Sequence, residues 1–277
     1  MSLKAAYILP HPPLAVAEVG RGEEARIADT LEGYREVARR IAAHKPDTIV
    51  FISPHSAYYA DWIYVASGDG ASGSFGRFGV SRLGFRLRYD SALREAIVRE
   101  AQRSDIPAGP VSKTPRELDH GVLVPLYFIE KQLPADEFQA ILIGGSGLPA
   151  KGLKAFGSCL ARVFATSETD IVLVASGDLS HKLTKDGPYG FDPAGPLFDA
   201  AFGSIVQAGL PLRFEEIDPQ LCEDAAECGL SGFIMLAALL DGSTGLGQAG
   251  FTSELLSLEG PFGVGYGVAA FERKDSQ

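Results

Sequence analysis

The sequence predicts an α/β fold: a single domain, residues 1–277, with a central mixed, largely parallel sheet flanked by helices on both faces. Three features carry that expectation. Short apolar runs such as TIVFI (48–52), QAILIGG (139–145) and DIVLVASGD (170–178) have the length and composition of buried strands. Amphipathic stretches of helical period lie between them, the alternation that builds parallel strands. The 277 residues, 46% hydrophobic and 22% charged, sit at the upper end of one domain's size and can bury a sizeable core.

Taken in order, residues 5–9 read as a short buried strand that delivers His11. Residues 22–43 follow with Ile27, Leu31, Tyr34, Val37 and Ile41 at helical spacing. Glu23 and Glu24 near the start and Arg39 and Arg40 near the end match a helix dipole. Residues 48–52 form a second strand, closed by Pro54-His55. DWIYVAS and LGFRLRYD are strand-like, and the Gly- and Ser-rich DGASGSFGRFG between them reads as a flexible loop, a plain surface loop or a lid near a site. Residues 91–104 are a further amphipathic helix. In RELDHGVLVPLYFIEKQL, Asp119 is a plausible N-cap, His120 starts a helix, and Pro125 falls early enough to be tolerated. Strands over 139–145 and 170–178 enclose a helix at 150–165. HKLTKDGPYGFDPAGP is a polar loop, helices follow at 195–208 and 228–241, and strands at 251–257 and 264–272 close the chain.

A net charge of -10 gives no electrostatic case for nucleic acid or an anionic membrane as partner. No stretch approaches the roughly 18 apolar residues of a membrane span. The N-terminal apolar run is too short for a signal peptide before prolines interrupt it. Cys159, Cys222 and Cys228 show no paired-motif spacing, which fits free thiols in a reducing compartment. A cytoplasmic location is expected.

Four of the five histidines stand at junctions: ILPHPP (His11), SPHS (His55), LDHG (His120) and SGDLSH (His181). Only His44, in the helical stretch IAAHKPD, lies outside these junctions. Pro12 keeps His11 on extended backbone, and the ends of parallel strands share one edge of a sheet, where open α/β folds bind ligands. One metal-centred site is therefore expected. His11 and His55 are its first two ligands, because two imidazoles plus one carboxylate leave positions open for substrate and O2. The third ligand should come from AAECGLSGFIMLAALL, where Glu227 and Cys228 precede an apolar helix whose N-terminus favours negative charge. The plainer alternative makes Glu227 a first-turn charge and Cys228 a small filler. Asp178 and His181 could form an orienting pair that leaves one ring nitrogen free as acid or base, or Asp178 could simply cap its turn. The glycines of EGPFGVGYG (259–267) match no dinucleotide fingerprint.

LPHPPLAVAEVGRGEE, KPDTIVFISPHS, LDHGVLVPLYFI, VASGDLSH, ECGLSG and EGPFGVGYGVAAF resemble the LigB-like superfamily of class III extradiol ring-cleavage dioxygenases over nearly the whole chain. The branch most similar holds the Memo-like proteins and the N-terminal half of AmmeMemoRadiSam system protein A. The resemblance implies metal ligation by His11 and His55, an acid–base role for His181 and a substrate-pocket role for His120. By this register the dioxygenase glutamate falls on Cys228, as in Memo-like proteins, with Glu227 one residue away. The implied function is a non-haem Fe(II) oxidoreductase acting on a catechol-like substrate and O2. The alternative is a Memo-like protein that binds copper or zinc for redox or partner-binding work, and a third class is an interaction module with a relict pocket. A homodimer or a small accessory subunit is compatible with the resemblance. With FERKDSQ as its last residues, the chain is expected to lack the fused C-terminal domain of system protein A.

Overall fold

A computed structural model describes residues 3–112, 117–243 and 250–274, so the last three residues of FERKDSQ lie outside the described residues. The first strand, β1 (Leu3–Leu9), is buried at every position except Lys4. Such unbroken burial needs cover on both faces of a sheet, as parallel strands have. After the short α1 (Ala17–Gly20), α2 (Ala28–His44) buries Leu31, Tyr34, Val37 and Ile41 along one stripe. The expected start at residue 22 is a 3-10 segment, Glu23–Ile27. The α-helix proper begins where Glu259 accepts from both Thr30 N (2.6 Å) and Thr30 Oγ1 (2.7 Å), satisfying a first-turn N–H from across the sheet.

β2 (Thr48–Ser53) is wholly buried. Beyond it, β3 (Ile63–Tyr64) pairs with β6 (Ala108–Gly109), and β4 (Gly70–Phe75) pairs antiparallel with β5 (Val80–Arg88). The segment expected to be a flexible loop is therefore mostly strand. Its composition misleads because its glycines serve close packing: a Cβ on Gly73 would lie 2.5 Å from the Leu118 carbonyl oxygen and 2.8 Å from Leu118 Cβ. Leu118 N in turn donates to Ser72 O (3.0 Å), so the hairpin clamps the chain just before His120.

α3 (Ser91–Arg103) is capped by Asp90, which accepts from Leu93 N. α4 (His120–Ile129) carries Pro125 and is buried from Gly121 onward. Then come β7 (Gln139–Gly144), α5 (Ala150–Thr166), β8 (Ile171–Ser176) and α6 (Ala194–Ala208). A short α7 (Pro219–Ala225) precedes α8 (Leu230–Gly242), and β9 (Phe251–Glu259) and β10 (Tyr266–Arg273) close the fold.

The six main strands run in the order β7-β2-β8-β1-β10-β9. β7, β2, β8 and β1 are mutually parallel, and β10 and β9 are antiparallel additions, so the sheet is mixed and largely parallel as expected. One apolar core joins Tyr7, Phe51 and Val174 to α2 and α4. The other joins Ile8, Val50 and Leu173 to α5, α6 and α8. β1 and β2 are consecutive in the chain yet not neighbours, because β8 is inserted between them.

Replacing Gly73 by alanine should force the hairpin off Leu118. The expected loss is about 1–3 kcal/mol, the usual cost of overpacking. Thermal unfolding checks this, and a melting temperature unchanged by Gly73→Ala would show that the clamp has slack.

Candidate metal centre

The C-terminal tips of β1, β8 and β2 lie side by side, with Leu9 level with Ser176 and Ile52 level with Ala175. The chain beyond β1 and beyond β2 folds inward over the small residues Ser176 and Gly177 at the end of β8. That brings His11 and His55 together: their Nε2 atoms are 2.9 Å apart and their ring centroids 4.6 Å. His120, the first residue of α4, stacks on His55 at 4.0 Å and meets His11 edge-on at 5.2 Å. Each of the three rings offers a nitrogen, all within 4.8 Å of one another. His44, at the end of α2, reaches Glu272 Oε1 (3.3 Å) toward the opposite end of the strands and takes no part.

Each ring is held by its own element. His11 Nδ1 is 2.9 Å from Ser176 Oγ, and its backbone N–H donates to Asp178 Oδ1 (2.7 Å). With Nδ1–H donating to Ser176, the lone pair on Nε2 faces the cluster. Ser53 ties the other two together: its Oγ accepts from His55 N (3.2 Å) and donates to Asp119 Oδ1 (2.6 Å). Asp119 stands at the N-cap position of α4 as expected, but its carboxylate makes this cross-link and no capping bond.

Burial sets the charge. His11 is buried, and desolvation, then the neighbouring His55 and His181, push its pKa well below the ordinary histidine value. His120 is driven down to about 3 by burial first, then by His55, His11 and Arg77. Neutral imidazoles with converging lone pairs are what a transition-metal cation requires. Two ring nitrogens 2.9 Å apart can share an ion with bonds near 2 Å. His55 is the exposed member, so the cluster opens to solvent.

Glu227 and Cys228 part company. The Cys228 sulfur lies 3.6 Å from His11 Nε2 and 3.6 Å from Asp178 O. The Glu227 carboxylate turns the other way and accepts from Leu230 N (2.7 Å), capping α8. The helix N-terminus was expected to favour a thiolate and does not. α8 begins at Leu230, its first N–H groups are engaged by Glu227, and burial followed by Asp178 holds the Cys228 thiol well above its ordinary pKa. Burial likewise raises Glu227 to about 7.

The expected Asp178–His181 pair is not made. Asp178 gives Oδ1 to the His11 amide and sets Oδ2 3.8 Å from His11 Nε2, because the tips of β8 and β1 are adjacent. His181 is held through its backbone N–H to Ala225 O (3.0 Å), and its Nδ1 is buried with no hydrogen-bond partner among the described residues. Its ring meets Tyr189 edge-on at 5.4 Å. A cavity of about 290 Å³ opens beside His55 and His120 and is walled by Phe78, Leu123 and Arg77. Ser53, Ser176, Arg77 and Phe78 escaped the sequence reading. The two serines had a signal, since each is the last residue of a buried strand just before a chemistry-bearing turn.

The family described as the catalytic LigB subunit of aromatic ring-opening dioxygenase matches residues 5–269. The chain belongs to the LigB family. This LigB-family chain is also 37% identical to Protein CA_C1420 of Clostridium acetobutylicum over 279 residues, covering 98% of this chain and 58% of that protein. It thus spans little more than half the length of that relative. Its fold is similar to that in the crystal structure of uncharacterized protein JW3007 from Escherichia coli K12. The TM-score is 0.60 at 14% identity, covering 97% of this chain and 99% of the other. Among the described residues no helix is long and apolar enough to cross a membrane.

If Ser176 fixes the His11 tautomer, Ser176→Ala should weaken binding of a divalent transition metal by about 10–100-fold, the usual cost of losing such a support. Competition against a chromogenic chelator measures this. Equal affinities in the two proteins would remove Ser176 from the site.

Proposed function

We propose that this LigB-family chain is an extradiol-type dioxygenase that opens an aromatic diol with O2 at a single non-haem Fe(II). Residues 1–277 would act as one domain, and the three free cysteines favour the cytoplasm. The observation that carries the reading is three imidazoles, His11 and His120 among them held neutral by burial, sharing a space under 5 Å wide beside a cavity walled in part by Phe78 and Leu123. His11 and His55 would hold the ion, with the third ligand drawn from Cys228 or Glu227. When bound, such an ion supplies a centre at which a diol and O2 meet and exchange electrons.

The remaining groups act on the substrate. Phe78, edge-on to His120 at 5.7 Å, and Leu123 give the cavity apolar walls that suit a ring. His120, kept neutral, can donate to or accept from a substrate oxygen. His181 has a buried Nδ1 with no hydrogen-bond partner among the described residues, which leaves it available to take and return a proton. Tyr189 and Tyr58 are both more than half exposed, Tyr189 edge-on to His181 and Tyr58 within electrostatic reach of Glu227.

A second reading is favoured by one observation: the sulfur of Cys228, not the carboxylate of Glu227, faces His11. A thiolate ligand suits copper or zinc and is itself oxidisable. In that reading the chain is a Memo-like metal protein without ring cleavage.

Anaerobic reconstitution with Fe(II), followed by catechol and air, separates the two. The dioxygenase reading expects O2 uptake and a yellow ring-fission product near neutral pH. Both should fall at least ~100-fold in His181→Ala, within the range for losing a general acid–base, while bound iron stays constant. Stoichiometric copper or zinc that is lost in Cys228→Ser, with no O2 uptake on any diol, would leave the second reading standing.

A further inference from the structure

We propose that Asp199, on α6, is the positioning residue of His181: its carboxyl group, seated in a slot left open by Gly265, fixes the backbone turn that aims the imidazole. The inference rests on the reading of His181 as the proton carrier. It starts from what His181 lacks. No side chain orients its ring through Nδ1 among the described residues, and the carboxylate expected to do so, Asp178, is engaged with His11. Apart from the edge-on contact with Tyr189, the aim of the ring is set by the backbone that bears it.

That backbone is gripped from three sides. Asp199 Oδ1 accepts from Ser180 N (2.9 Å), Gly265 N donates to Ser180 O (2.7 Å), and Leu179 N donates to Gly265 O (2.8 Å). Ser180 Oγ and His181 N both donate to Ala225 O, at 3.1 and 3.0 Å. Of these anchors Asp199 is the one ionisable group. It is 8% exposed, and the Ser180 amide is its one hydrogen-bond donor among the described residues. A buried carboxyl with a single donor is a poor way to stabilise a fold, and burial raises this one to about 7. The EGPFGVGYG run, which matched no nucleotide motif, acquires a purpose here. A Cβ at Gly265 would collide with Asp199 Oδ2, so glycine lets β10 enter against the carboxyl without displacing it.

The test uses the purified full chain with ¹³C-labelled histidine, whose five residues give five resolvable ring resonances. Asp199→Ala should shift the His181 Cε1–H resonance and speed hydrogen exchange at the Ser180 amide by about tenfold or more. That corresponds to roughly 1.4 kcal/mol, within the range for an ordinary intramolecular hydrogen bond. Asp199→Asn, which keeps an acceptor oxygen, should preserve both signals. His11, His44, His55 and His120 should hold their positions throughout. A folded Asp199→Ala with His181 and Ser180 unmoved would overturn the assignment. So would a shift of all five rings together, or an Asn variant as perturbed as the Ala one. Should Asp199→Ala fail to fold, Gly265→Ala displaces the same carboxyl, and an unmoved His181 there would be equally fatal. With diol as substrate, Asp199→Ala should lower kcat and leave KM and bound metal unchanged. If the His181 response appears but the wild-type chain consumes no diol, the dioxygenase reading falls and the positioning role stands.

Discussion

Three imidazoles can occupy one small space only while no two of them are charged. Two protonated rings about 4.6 Å apart would repel by roughly 4 kcal/mol at an effective dielectric near 20. The fold avoids that cost by burying His11 completely and His120 in large part, so that desolvation and mutual repulsion act in the same direction. The consequence is that His11 and His120 stay neutral and can each turn a lone pair toward a cation. The architecture beneath the rings serves this end: Ser176 Oγ holds His11 Nδ1 at 2.9 Å, and Ser53 bridges the approaches of His55 and His120.

The insertion of β8 between β1 and β2 makes the convergence possible. Parallel strands stand about 4.8 Å apart, so residues two strands apart start nearly 10 Å from each other. Closing that gap to an Nε2–Nε2 distance of 2.9 Å requires both following segments to lean over the middle strand. The middle strand must therefore end in something small there, and Ser176 does, while Gly177 makes room for Gly229 and Phe233 of the α8 segment. The same adjacency draws Asp178 to the His11 amide. One topological choice thus brings two ligands together and withdraws the carboxylate that His181 could have used.

Much of this was legible in the sequence, for a physical reason. Buried parallel strands announce themselves as apolar runs, and TIVFI and DIVLVASGD needed no tertiary information. Histidine beside proline or before a turn marks strand ends equally well. What stayed hidden depends on contacts between distant segments. DGASGSFGRFG looks like a loop because glycine and serine have little strand preference, yet Gly73 is glycine for the sake of the Leu118 backbone it touches. Asp178 beside His181 suggested a pair by proximity in the chain, whereas proximity across the sheet assigned it to His11. Asp199 was invisible, since its partners Ser180 and Gly265 lie far from it in sequence.

Glu227 and Cys228 show how finely such a site divides its labour. Adjacent residues at the start of a helix diverge in direction, so one can cap the helix while the other faces inward. Glu227 satisfies the Leu230 amide, which α8 would otherwise leave unpaired, and this leaves the sulfur toward His11. The thiol is protonated while the pocket holds only protein, because burial and Asp178 oppose a second negative charge. A cation among the imidazoles would invert that balance, since a coordinated thiol loses its proton outright. Exchanging the two side chains would disturb both ends at once, removing the cap from α8 and placing a carboxylate where the rings converge.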